Sequence, residues 1–342
     1  MGGDCLSHRH SGLLRRAVAI QGAVHPAGSG LMPDRRAIVA GLLATAMFPV
    51  ASQGARLRKA ISTIVPFKSS PFPYRGKLPD GSASFLDVTA ADGRHGHTSP
   101  RGGIYWEDET YSDRSTLLAV PKGFDPTKPA LIVVFFHGNG ATLQRDVVGR
   151  QRVVAQVEAS GLNAVLVAPQ FASNAQDSSA GNFWTQGYFA KFMAEAAQGL
   201  AKLTGAKAAK FDAMPVVLVA YSGGYNPAAS ILRNGDIGGR LLGVILLDAV
   251  FDEADIFASW IAQHRKSFFV SAYGKSSASG NAEIRQLLAG QGIDASSDPP
   301  RRLEAGTIAL LASDAAHDTF VTRAFVGNPL QWLLARLHGF QR

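Results

Sequence analysis

One cysteine, Cys5, is all the thiol chemistry in 342 residues, which excludes a disulfide framework and a cysteine-based metal cluster. Charge is sparse too, at 18% of residues, with 34 basic and 26 acidic side chains leaving a formal +8. A basic balance can favour nucleic acid or an anionic surface, yet the basic residues are scattered. The pair Arg301-Arg302 and the stretch Arg56-Leu57-Arg58-Lys59 form no stripe; they read as solvated surface, and no nucleic-acid partner is expected. No internal repeat is evident. Gly238-Gly239 lacks the strand–glycine–helix setting of a dinucleotide site, so no cofactor is expected. What is abundant is apolar material, 46% of residues, enough for a large core and incompatible with disorder of the whole chain.

Long apolar runs are also missing. Residues 37–50 form an uncharged run of 14 behind Arg35 and Arg36, short of the roughly 20 needed to span a membrane and suited to the apolar region of an export signal. The arginine pair and modest apolar run resemble a twin-arginine signal. Small residues from Ala51 to Ala55 offer cleavage points, and Met32 is the expected true start. Residues 1–55 are therefore expected to be an N-terminal extension and export signal, and the protein periplasmic or secreted. A surface-docked amphipathic helix is the other reading.

Residues 56–82, with Pro66, Pro71, Pro73 and Pro79, read as an extended lead-in, because proline resists regular structure. The domain proper is expected over 83–342. There, short β-branched runs alternate with helix-length amphipathic segments, the signature of βαβ units and a mostly parallel sheet. The spacing predicts strands at 84–89, 115–120, 131–136, 163–168, 215–220, 242–247, 267–272 and 307–312. It predicts helices near 142–160, 182–204, 226–233, 253–264, 281–290 and 318–338. Leu131-Ile-Val-Val-Phe-Phe136 and Pro215-Val-Val-Leu-Val-Ala220 lack alternation, as strands buried on both faces do. Residues 91–103 read as turn material, and His95 and His97 within them lack a third ligand nearby for a metal.

Three motifs carry chemistry. Ala220-Tyr-Ser222-Gly223-Gly224 lies between a buried strand and a helix. A tight turn there lifts a serine hydroxyl into the open beside a base, which a serine needs to act as a nucleophile. The competing reading of Ser222 is a helix cap. His137-Gly-Asn139-Gly140 follows strand 131–136, where glycines let backbone N–H groups face a developing oxyanion, each worth roughly 3 kcal/mol. His317 follows the last predicted strand, a place from which a general base can reach the serine.

In these motifs the chain resembles the α/β-hydrolase fold over about residues 83–340. The resemblance implies a mostly parallel twisted sheet of about eight strands with helices on both faces. Ser222 stands at the nucleophile elbow, with Ala220 where glycine is usual. It further implies an oxyanion hole from the main-chain N–H groups of Asn139 and Gly223, with His137 shaping its loop. The acid is less direct. In this family it commonly follows the seventh strand, but residues 272–280 hold no carboxylate. Some members place it after the sixth, which offers Asp248 or Asp252; Asp314 is a further alternative. Asp248 is favoured, and the order Ser222, Asp248, His317 matches the chain order of this fold. His264 and His338 fall in helical segments and read as surface or packing residues.

Only about 20 residues separate strands 242–247 and 267–272, too few for a large cap. An open site suits a bulky, polymeric or surface-bound acyl substrate better than a small apolar one sealed from water, which disfavours long-chain lipase action; the expected partner is a small-molecule or polymeric acyl substrate. Phe171, Phe183 and Trp184 leave the carboxyl end of strand 163–168, where they form either an aromatic wall to the site or core. The expected function is an exported serine hydrolase that cleaves carboxylic esters through an acyl-enzyme. The alternatives are an amidase or peptidase with the same triad, or a non-catalytic binding protein on this scaffold.

Overall fold

The computed structural model describes residues 56–234 and 237–342; the export signal expected in residues 1–55, with Cys5, Met32, Arg35 and Arg36, lies outside them. Eight strands form one sheet: β1 (Ile61–Pro66), β2 (Ser115–Val120), β3 (Leu131–Phe136), β4 (Ala164–Pro169), β5 (Val216–Tyr221), β6 (Leu241–Leu247), β7 (Phe268–Tyr273) and β8 (Ile308–Ala312). Their order across the sheet is β1-β2-β4-β3-β5-β6-β7-β8. β2 runs antiparallel to both β1 and β4, and every pairing from β4 to β8 is parallel. Every residue of β3, β4 and β5 is buried, because helices cover both faces and an unbroken apolar run fits such a strand.

The two faces divide the core. Ile132, Val134 and Phe136 pack with Phe189, Phe192, Ala228 and Phe257 from α2 (Tyr188–Thr204), α3 (Tyr225–Asn234) and α4 (Ala254–Gln263), beside α5 (Ala278–Ala289). Leu131, Val133 and Phe135 pack on the other face with Val153, Val157, Leu330 and Leu333, from α1 (Val153–Ala159) and α6 (Pro329–Leu334). Alternate residues of one strand thus feed opposite cores.

Several expected elements shift. The segment 56–82 is not merely an extended lead-in, since Ile61-Ser-Thr-Ile-Val65 is rich in β-branched residues and forms the sheet's edge strand, with Ile61 opposite Val120. Pro66 closes that strand at its end, where no ladder donor is needed. The strand expected at 84–89 shrinks to Val88–Thr89, which pairs with His95–Thr98, itself paired with Ile104–Trp106. A small antiparallel sheet therefore stands where turns were expected. The helix expected at 142–160 breaks at Arg152, whose φ is 53°, into a π-helical turn at Leu143–Arg150 and α1. The helix expected at 182–204 begins only after Gly187, and that expected at 318–338 contracts to α6, which Pro329 opens. Between β6 and β7 the chain holds α4 and no inserted cap. Among the described residues, no helix is long and apolar enough to cross a membrane.

Candidate active site

β5 ends at Tyr221, and Ser222 turns the chain into α3 with φ at 52°. A non-glycine residue in this left-handed region costs roughly 1–3 kcal/mol, and only surroundings that over-determine it hold it there. Those surroundings are tight. A Cβ added at Gly138 would lie 2.7 Å from Ser222 Cβ, and one at Gly224 would lie 2.6 Å from the Phe136 carbonyl oxygen. Gly224→Ala is therefore expected to force two backbone segments apart and to destabilise the protein by about 1–3 kcal/mol, read as a lowered thermal midpoint. An unchanged midpoint would show that the elbow has slack.

His317 lies on a short turn after β8. Its Nε2 is 2.8 Å from Ser222 Oγ, and its Nδ1 is 2.6 Å from Asp248 Oδ2. A carboxylate can only accept, so Nδ1 carries the proton and Nε2 is left as the acceptor for the serine hydroxyl. Tyr221, the residue before Ser222, donates its hydroxyl to the His317 carbonyl at 2.8 Å and stacks its ring on the imidazole. Burial pushes the Tyr221 hydroxyl up to about 12, so it remains a donor. Phe251 meets the imidazole edge-on at 5.7 Å.

Asp248 stands just past β6 with no exposed surface. Burial alone would raise its pKa, but hydrogen bonds from His317, Ser276, Ser277 and the Gly274 N–H outweigh that and bring it down to about 2. Asp252 is exposed, with its carboxylate on the Glu253 N–H, and Asp314 is also exposed. Neither bonds to His317. The loop after β7 holds no carboxylate, as read from sequence, yet its Gly274, Ser276 and Ser277 grip the Asp248 carboxylate that follows β6. That role was not anticipated, and the Gly-Lys-Ser-Ser sequence was its only signal. The clamp from Tyr221 was equally unforeseen.

His137 is buried and neutral: desolvation lowers its pKa, the Phe171 N–H donates to Nε2 at 2.9 Å, and Nδ1 faces the Gly138 carbonyl at 2.8 Å. It ties the loop that carries Asn139 to the start of the segment after β4. The Asn139 side chain accepts from Ser178 Oγ at 3.1 Å. Asn139, Ser222 and His317 open onto one cavity of about 650 Å3, shared with Arg101, Arg150 and Phe251.

The other candidates lie elsewhere. Phe171 and Phe183 are core residues, while Trp184 lines a separate cavity. His97 is buried with Nδ1 at 2.6 Å from the Phe85 carbonyl oxygen, and His95 contacts Thr89 Oγ1. His264 caps its own helix, bonding the Trp260 carbonyl. Among the described residues, no group of three His, Cys, Asp or Glu could hold a metal ion.

The strand order, with its second strand reversed, places a serine elbow after β5, a buried aspartate after β6 and a histidine after β8. The chain has the α/β-hydrolase fold. No protein-family model and no curated protein matches it. Among solved structures, this hydrolase-fold chain is similar to a mutant feruloyl esterase module from Clostridium thermocellum complexed with sinapinate. That likeness has 15% identity and a TM-score of 0.44 over 80% of this chain and 96% of the other. It is also similar to S-formylglutathione hydrolases from Staphylococcus aureus (12% identity, 82% and 99% covered, TM-score 0.46) and Agrobacterium tumefaciens (13%, 71% and 94%, 0.43).

Proposed function

We propose that this chain is a serine hydrolase that cleaves carboxylic esters through a covalent acyl-enzyme. The observation that carries the reading is the continuous relay from Ser222 Oγ to His317 Nε2 at 2.8 Å and from His317 Nδ1 to Asp248 at 2.6 Å. A binding protein on this scaffold has no need of that alignment, nor of a fully buried, ionised aspartate behind it.

In the proposed mechanism, Ser222 Oγ attacks the ester carbonyl while His317 Nε2 takes its proton. Asp248 keeps the imidazole in the required tautomer and stabilises the imidazolium as it forms. The carbonyl oxygen becomes an oxyanion facing the main-chain N–H groups of Asn139 and Gly223. As the tetrahedral intermediate collapses, the C–O bond breaks and His317 returns the proton to the departing alcohol. Water then repeats the sequence on the acyl-enzyme, releasing the acid and free Ser222. The cavity of about 650 Å3, with no inserted cap between β6 and β7, suits an acyl group that enters from solvent.

Labelling with a fluorophosphonate probe tests this directly. Wild type is expected to label covalently at Ser222 and Ser222→Ala to remain unlabelled; a wild-type protein that fails to label would overturn the reading. The same proposal includes export directed by residues 1–55, supported by Arg35-Arg36, the apolar run and the small residues after it. N-terminal sequencing of extracytoplasmic material should find that segment removed, and intact cytoplasmic protein would exclude export.

A further inference from the structure

Two cavities meet at one side chain. The larger, about 650 Å3, contains Ser222 and His317. The smaller, about 420 Å3, is walled in part by Trp184, Tyr225 and three carboxylates, Asp80, Asp87 and Asp177. Arg101 is the residue common to both linings. It projects from the hairpin tip between His95–Thr98 and Ile104–Trp106, next to Gly102 and Gly103 at φ 93° and 89°. Its guanidinium carbon stands 5.5 Å over the ring centre of Phe251, and Phe251 in turn abuts His317. A permanent positive charge is thereby held one ring away from the reacting centre.

That charge is uncompensated. Arg150, the other arginine of the larger cavity, binds Asp146 at 2.9 Å, and Asp146 is also paired with Arg145. Arg101 makes no ion pair among the described residues. The guanidinium lies over the Phe251 ring and also meets the Tyr225 hydroxyl, which leaves part of its five-donor N–H fork, the geometry that matches a carboxylate, for a ligand. The smaller cavity repels an anion through its three carboxylates. Two of these are already fixed as acceptors, Asp177 by Tyr111 and Ser179, and Asp87 by the Thr98 N–H. The cavity that holds Ser222 sets two arginines, Arg101 and Arg150, against two carboxylates, Asp146 and Asp318, whereas the smaller sets Arg101 alone against three, so an anionic group is favoured in the cavity with Ser222.

We propose that Arg101 is a specificity-determining residue that recognises a carboxylate on the substrate, so that the preferred esters are anionic. This rests on Ser222 being the nucleophile. The test uses two matched pairs of esters. One compares the p-nitrophenyl monoester of glutaric acid with p-nitrophenyl pentanoate, placing the charge on the acyl side. The other compares an acetate ester of a hydroxy acid with that of the corresponding alcohol, placing it on the leaving side. In wild type, kcat/KM for the anionic member of at least one pair is expected to exceed its neutral partner about 10- to 100-fold, mostly through KM, as for a charge-assisted bidentate contact. Arg101→Gln is expected to bring that ratio to about one, and Arg101→Lys to retain part of it. High salt should narrow it. Arg302→Gln should leave it intact, since Arg302 is exposed beside Leu242 and Phe268, which open β6 and β7 at the end of the strands opposite Ser222.

Turnover that is absent, or that survives in Ser222→Ala, would remove the nucleophile reading itself. Ser222-dependent turnover with ratios near one in both pairs, or a ratio that persists in Arg101→Gln, would overturn the assignment of Arg101 alone.

Discussion

Replacing His317, the proposed base, with alanine is expected to lower kcat for ester hydrolysis about a million-fold, the loss measured when the histidine of a serine-protease triad is removed. Without Nε2 at 2.8 Å, nothing accepts the Ser222 proton as Oγ bonds to carbon. The fold should survive the change. Tyr221 holds this turn through the main-chain carbonyl of His317, which alanine retains, and the side chain is partly exposed. The double variant Ser222→Ala/His317→Ala should be no slower than either single variant, because the two act as one unit and removing the second member of a broken pair costs nothing more. Residual turnover about a thousand-fold or more above that in water should remain, supplied by the proposed oxyanion donors, the N–H groups of Asn139 and Gly223, and by substrate binding. Single-turnover kinetics on a p-nitrophenyl ester would check both points. Losses that add across the two residues would mean that they act separately, and the relay would not be the catalytic device.

Much of this arrangement was legible in the sequence because its strongest signals are local. The unbroken apolar runs at 131–136 and 215–220 are those of strands buried on both faces, and the small residues around Ser222 mark a turn that larger side chains would block. Asp248, the acid expected from the sequence, lies just past a buried strand and within hydrogen-bond distance of His317, whereas Asp252 stands a turn later on exposed chain. What escaped was set by tertiary contact. β1 looked like proline-rich lead-in because Pro66 and its neighbours mask a five-residue run with four β-branched residues, which gains stability by pairing with β2. The helix expected at 142–160 carries helical periodicity throughout, yet the chain turns left-handed at Arg152 and divides it. The grip on Asp248 came from hydroxyls and one N–H on a different strand's loop, a contact that no spacing along the chain encodes. Phe171 and Phe183 were ambiguous for a related reason, since an aromatic near a site and an aromatic in the core leave the same mark in sequence.

Asp248→Asn is expected to lower kcat about 10,000-fold, and the geometry says how. The Gly274 N–H reaches Oδ1 at 2.9 Å and can only donate, so an asparagine must place its oxygen there. Its NH2 then occupies the Oδ2 position, facing His317 Nδ1. That nitrogen is forced to accept, the imidazole proton moves to Nε2, and the atom facing Ser222 can no longer take a proton. The substitution should also change the acid side of stability. Asp248 titrates at about 2 in the fold against an ordinary value of 3.8, a preference for the ionised form worth about 2 kcal/mol. Because the folded value is the lower one, this stabilisation is present above pH 4 and is lost as pH falls from about 4 toward 2. Denaturant melts between neutral pH and pH 3 should show this loss in wild type and a shallower one in Asp248→Asn. Asp248 stays ionised well below neutral pH, so any fall in kcat/KM just below neutrality must come from another group. If the asparagine variant instead kept wild-type kcat, the buried carboxylate would be structural, and His317 would hold its tautomer without it.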